Sequence, residues 1–210
     1  MSEPMRDIIT VYIWLPKEFL GHASMQVGED TYISFWPNKE VLNRSSSEIR
    51  KNIINHKNHN INQLLFQHLN QIKSDSYEQD CLVLGKNGSK READCIVELL
   101  NLPQEPIKIF WREFQNQQVS YHLIKRNCSS VVAEAINEGW KTYVAAETTV
   151  NNFFGDLETV AEYEKDFEAL SFTTAALNLG RLLFWSPKQV LLYAQMVKRL
   201  TDGVQAKANL

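Results

Sequence analysis

Between residues 8 and 36 the chain carries three short runs suited to β-strands, packed so closely in sequence that they have to pair with one another. Ile8 to Leu15 (IITVYIWL) is continuously apolar and rich in β-branched residues, the pattern of a strand covered on both faces, and it ends at Pro16. His22 to Val27 (HASMQV) alternates instead. Its His22, Ser24 and Gln26 fall on one face and its Ala23, Met25 and Val27 on the other. Thr31 to Trp36 (TYISFW) forms the third run, and Gly28-Glu29-Asp30 between the last two predicts a hairpin. The chain therefore starts as a small antiparallel sheet with a histidine on its polar face.

The remainder predicts helices more than strands. Gln79 to Gly85 (QDCLVLG) is read as a further short strand, and Ser89 to Leu100 as a helix with Ile96, Leu99 and Leu100 on its apolar stripe. Ile107, Phe110, Trp111 and Phe114 recur at helical spacing. Asn127 is a strong N-cap, and Cys128, Val131, Val132, Ala135 and Ile136 follow along one helical face up to Gly139, which suits a C′ position. Ser186-Pro187 opens a last helix with an N-cap and a proline in the first turn. The expectation is an α+β fold in one domain over residues 1–201, with a polar, Asn-rich insertion around 44–63 and a frayed tail over 202–210.

A hydrophobic fraction of 44% suits a globular core, and a formal net charge of -3 without a basic stripe argues against nucleic acid as partner. No run approaches the roughly 18 apolar residues of a membrane span, although peripheral membrane association is compatible with the sequence. The start MSEPMRDIIT lacks the basic and apolar regions of an ordinary secretory signal. The expected location is the cytoplasm, or a host cell reached by a secretion route that uses no such signal. Three cysteines, Cys81, Cys95 and Cys128, have no zinc-finger spacing. Cys81 and Cys95 read as packing residues. His56, His59 and His68 read as polar surface histidines rather than metal ligands, so neither a metal nor another cofactor is expected.

Cys128 differs from the other two thiols in its position. A free thiol ionises near pH 8.5, and the positive end of a helix lowers that value, as does a nearby imidazolium. Cys128 directly follows the predicted cap, on the face that looks toward the core. If His22 met it in space, the pair would be a nucleophile and its base, and the Cys128 N–H would serve as an oxyanion donor. Spacing alone does not join residues so far apart; an ordinary core cysteine and an ordinary strand histidine are the commoner explanations of the local patterns.

Two blocks, GHASMQVGEDTYISFWP and YHLIKRNCSSVVAEAI, together resemble the circularly permuted papain-like superfamily, the lecithin retinol acyltransferase-like proteins among them. In wording they look closest to bacterial effector acyltransferases of the Rho-inactivation-domain type. The resemblance covers these two blocks of about sixteen residues each, extends weakly to SPKQVLLYAQMVKRL, and leaves out the middle of the chain. It implies a permuted papain-like fold, a small antiparallel sheet packed against a helix with the cysteine at its N-terminus. It further implies Cys128 as nucleophile, preceded by Asn127, and His22 as base.

Where lecithin retinol acyltransferase-like proteins have a second histidine, twelve positions after the first, this chain has Ser34. With a three-residue turn Ser34 lies opposite Ser24, on the face of His22, where its hydroxyl would orient the imidazole. Asp30 is the better acid but stands at the hairpin tip, and an acid from elsewhere in the chain is the other option. Tyr32 and Trp36 flank that face as candidates to border a substrate groove. The resemblance implies transfer of a fatty acyl group from an acyl-thioester donor such as acyl-CoA to a lysine of a protein acceptor. Phe153, Phe154, Phe167, Phe172 and Phe184 are candidates to line an acyl pocket, with ordinary core packing as the favoured alternative. The alternatives are a cysteine hydrolase of peptide, amide or isopeptide bonds, and a papain-like binding module without catalysis.

Overall fold

A computed structural model describes residues 8–17, 21–37, 74–85, 88–117, 119, 121, 126–154 and 185–208. Within them the chain is α+β: a four-stranded antiparallel sheet and four helices. The strands are β1 (Ile9–Trp14), β2 (His22–Val27), β3 (Thr31–Ser34) and β4 (Cys95–Leu99), in the spatial order β3-β2-β1-β4. The helices are α1 (Tyr77–Leu84), α2 (Gln104–Asn116), α3 (Cys128–Phe154) and α4 (Pro187–Ala208). The three N-terminal strands and their hairpin fold as the alternation predicts, with Ser24 opposite Ser34 across β2 and β3.

Strand periodicity divides the sheet into two unlike faces. Ile9, Val11 and Ile13 of β1, Ala23, Met25 and Val27 of β2, Ile33 and Phe35, and Val97 and Leu99 of β4 are all buried on one face. Helices α2, α3 and α4 pack there through Ile107, Val131, Val132, Ala135, Ile136, Val190 and Val197, among others. The second face carries Tyr12, Trp14, His22, Ser24, Tyr32, Ser34 and Trp36, and α1 lies on it with Asp80, Cys81 and Leu84 inward.

Two predicted elements exchange identity. The expected strand over Gln79 to Gly85 is helix α1, whose Ser76 hydroxyl caps the Gln79 N–H at 3.3 Å, with Glu78 and Asp80 in the first turn. A short apolar run does not choose between strand and helix by periodicity, and here the cap and the acidic first turn decide. The expected helix over Ser89 to Leu100 contains β4 instead. Val97 and Leu99 point inward, Ile96 and Glu98 outward, and pairing with the free edge of β1 overrides the helical reading.

Gly139 does not end its helix; α3 continues to Phe154. A Cβ at Gly139 would lie 2.9 Å from side-chain carbons of Leu102 and Ile107, so the glycine serves close packing rather than a cap. Helix α4 opens at Pro187 as expected and runs to Ala208, past the point at Asp202 where fraying was predicted. The polar insertion at 44–63 lies outside the described residues, as do His56, His59 and His68.

Candidate active site

Gly21 sets the entry into β2. Its φ of +81° lies in the left-handed region, and a Cβ there would stand 2.5 Å from the Trp14 carbonyl oxygen and 3.0 Å from Pro187. Only glycine lets the chain pass so close to the end of β1 and begin β2 with His22 opposite Trp14. The imidazole is thereby fixed at the end of the sheet, only 1% exposed, stacked on the Trp36 indole at 3.8 Å between ring centres and tilted against Trp14 at 5.5 Å.

The orienting acid is Asp80 of α1. Its carboxylate is completely buried and lies 3.3 Å from His22 Nε2. It accepts hydrogen bonds from the Tyr32 hydroxyl at 2.6 Å, the Trp36 indole N–H at 2.7 Å and the Ser34 hydroxyl at 2.9 Å. Ser34 also lies 3.1 Å from His22 Nε2, so the predicted orienting hydroxyl does touch the imidazole, alongside the carboxylate. A buried carboxylate with this many donors stays ionised: burial alone would raise its pKa, but the His22 ring and the hydroxyl donors hold it well below the usual carboxylate range.

Cys128 is the first residue of α3, 6% exposed. Asn127 caps the helix as predicted, accepting from the Ser130 N–H at 2.9 Å, while the Ser130 hydroxyl accepts from the Asn127 N–H at 3.0 Å. The Asn127 amide donates to the Trp185 carbonyl at 2.9 Å, which ties the start of α3 to the start of α4. Asn127 thus holds the sulfur in place as a cap.

The Cys128 thiol and the His22 ring are close enough to shift each other's titration. On its other side the ring meets Ser34 and Asp80 through Nε2. Burial opposes the charge on both groups. The Asp80 carboxylate and the sulfur nevertheless push the imidazole up to about 9, and the imidazolium, with the Ala23 backbone and the Ser129 hydroxyl, draws the thiol below its ordinary value. Both shifts favour a thiolate–imidazolium pair near neutral pH.

Tyr121 completes the cluster. It is partly buried and packs on Phe35 at 5.2 Å between ring centres. Its hydroxyl lies beside Cys128, whose sulfur and backbone both act on its ionisation. Burial and then the sulfur raise its pKa well above the ordinary value, so it is a neutral hydroxyl able to donate. A thiolate, an imidazole with its acid, and a hydroxyl with an N–H beside the sulfur suffice for nucleophilic attack on a carbonyl and stabilisation of the resulting oxyanion.

The structure brings together Cys128, His22 and Ser34. It gives Tyr32 and Trp36 another task than the predicted one: both are buried and direct their polar atoms at Asp80. Asp30 stays at the hairpin tip, paired with Lys108. Cys81 is buried and Cys95 partly buried, as packing residues. Phe153 and Phe154 end α3, while Phe167, Phe172 and Phe184 lie outside the described residues. Asp80 was hidden in a run read as a strand, where its contacts have no sequence signal. Tyr121 stands seven residues before Cys128, and only the fold turns that spacing into contact. Among the described residues no group of three or more His, Cys, Asp or Glu is placed to hold a metal, and no helix is long and apolar enough to cross a membrane. Comparison with protein-family models, with curated proteins and with solved structures finds no match.

Proposed function

We propose that this protein is a cysteine acyltransferase with Cys128 as nucleophile, His22 as general acid and base, and Asp80 as the group that orients the imidazole. The observation that supports the reading is the burial of Cys128, His22 and Asp80 in one cluster, with the imidazole 3.3 Å from the carboxylate and electrostatically coupled to a sulfur at the start of a capped helix. The Cys128 thiolate attacks the carbonyl carbon of an acyl thioester, and the Cys128 N–H and Tyr121 hydroxyl take up the oxyanion. The imidazolium protonates the departing thiolate, leaving an acyl-enzyme and a neutral His22. A lysine amine of a protein acceptor then attacks this thioester while His22 removes its proton. Collapse forms the amide, and Cys128 departs as thiolate beside the restored imidazolium. The choice of a fatty acyl donor and a protein acceptor rests on the resemblance of the two motif blocks to effector acyltransferases.

Intact mass after incubation with palmitoyl-CoA tests the reading. The expected result is one palmitoyl adduct that hydroxylamine removes and that is absent from Cys128→Ala. Asp80→Asn, which leaves an amide where the carboxylate stood, slows adduct formation by roughly 10²–10⁴-fold, the range of a lost acid–base contribution. An adduct that persists in Cys128→Ala overturns the thioester mechanism. No adduct, together with cleavage of fluorogenic peptides by the wild type but not by Cys128→Ala, assigns the same residues to hydrolysis. No adduct and no cleavage leaves a papain-like binding module.

A further inference from the structure

His22 sits in a row of three rings. Its register partner on β1 is Trp14, and continuing the β2–β3 register two residues past the Ser24–Ser34 pair brings Trp36 to its other side. The two indoles are used differently. Trp14 is tilted by 40° at 5.5 Å between ring centres, and its N–H donates to the Arg91 carbonyl at 2.9 Å. Trp36 lies nearly parallel to the imidazole, at 17° and 3.8 Å between ring centres, and its N–H donates to Asp80 Oδ1 at 2.7 Å. That bond holds one carboxylate oxygen while Oδ2 faces His22 Nε2 at 3.3 Å. One side chain therefore meets both members of the acid–imidazole contact, the face of one and an oxygen of the other.

Close face-to-face stacking is poor for two neutral rings, because their negative faces repel and offset or edge-on arrangements are better. A positive charge on one ring reverses the sign. The indole face attracts an imidazolium, and more strongly where water is excluded, as it is between rings 1% and 3% exposed. The charged neighbours that act on the ring are Asp80 on α1 and Cys128 on α3, both anionic when ionised. Tyr32 of β3 turns its hydroxyl to Asp80, and Tyr12 and Tyr77 meet the Trp14 ring. The indole face thus works in the same direction as the two anions.

We propose that Trp36 is a positioning residue of the site: its indole face holds the plane of the His22 ring and favours the imidazolium, while its N–H aims the Asp80 carboxylate. The inference rests on the reading of His22 as general acid and base.

The test is the pH titration of the His22 Cε1–Hε1 resonance in the full-length protein, assigned by its loss in His22→Gln, and compared between Trp36→Phe and Trp36→Leu. Both variants lack the indole N–H, so the Asp80 carboxylate loses the same donor in each, and only the leucine also lacks a ring face. The leucine midpoint is expected about one pH unit below the phenylalanine midpoint, a tenfold shift from imidazolium to imidazole, the scale of one desolvated cation–π contact. Equal midpoints in the two variants, or a higher one with leucine, overturn the proposal. The wild type supplies a second check that does not depend on how Trp36→Leu folds. Ring current from an indole stacked on the imidazole moves Hε1 upfield of its position in free histidine, and an Hε1 that stays at the free position overturns the stack. A failure of the acid–base reading shows separately, as a wild-type protein that takes no acyl group from palmitoyl-CoA.

Discussion

The two faces of the sheet obey opposite rules. On the face under α2, α3 and α4 the buried side chains of all four strands are apolar, and interchangeable shapes of similar volume fill the same space. On the face under α1, strands β2 and β3 bury His22, Ser24, Tyr32 and Ser34 around one carboxylate, and nearly every polar atom has an assigned partner: Ser24 and Tyr32 are 2.6 Å apart, and Tyr32, Ser34, Trp36 and His22 all meet at Asp80. The first face holds the sheet to the helices. The second fixes the charge and direction of a single ring. The difference teaches that the polar side of this sheet holds the imidazole and its carboxylate while the sulfur comes from a helix packed on the apolar side, and that the cost of the buried polar groups is offset by their pairing.

The largest effect should come from removing the shared acceptor. Asp80→Ala leaves the Tyr32, Ser34 and Trp36 donors buried without their partner and should destabilise the fold by about 3–5 kcal/mol, measured by urea denaturation. A loss under about 1 kcal/mol would mean that the polar face is not held by this carboxylate. On the apolar face the most severe small change is at Gly139. Its Cβ has no room against Leu102 and Ile107, so Gly139→Ala should cost about 1–3 kcal/mol despite alanine's better helix propensity. A rise in melting temperature would show that α3 is free to shift. Met25→Leu, a volume-conserving change in the middle of that face, should cost less than about 1.5 kcal/mol and leave Cys128 alkylation unchanged. If Met25→Leu slowed alkylation as strongly as a change at His22, the separation of the two faces would fail.

Much of the apolar face was legible in the chain, because alternation in HASMQV and the helical spacing after Asn127 report burial directly. The same patterns offered His22 and Cys128 as separate candidates, since a polar face within a strand and a cap before a helix are local signals, whereas their pairing and the choice of Ser34 came from the resemblance of the two motif blocks. Asp80 was not legible. Its role depends on α1 crossing the sheet 46 residues after Ser34, and the run that contains it, QDCLVLG, reads as a strand when taken by itself. The exchange of helix and strand over residues 77–99 has the same origin: β4 is a strand because β1 offers it an edge, and that offer is made by tertiary structure. Tyr32 and Trp36 were found as aromatic neighbours of the histidine, but from the chain alone nothing distinguishes a ring that lines a groove from one that holds a buried acid.

The measurement that bears most directly on the account is the pH dependence of iodoacetamide alkylation at Cys128, followed by peptide mass mapping in the wild type and in His22→Ala. Alkylation passes through no oxyanion, so it reports the thiolate alone. Burial keeps the neighbouring Cys81 thiol raised and therefore quiet. His22 is pushed up to about 9 and Cys128 is drawn below its ordinary value, so the two groups favour the thiolate–imidazolium pair over the neutral pair below the imidazole's titration. The wild-type rate should climb through a midpoint below the free-thiol value of about 8.5, and in His22→Ala that midpoint should move to about 8.5 or above. A wild-type profile already centred at or above the free-thiol value, and unchanged by His22→Ala, would contradict the account.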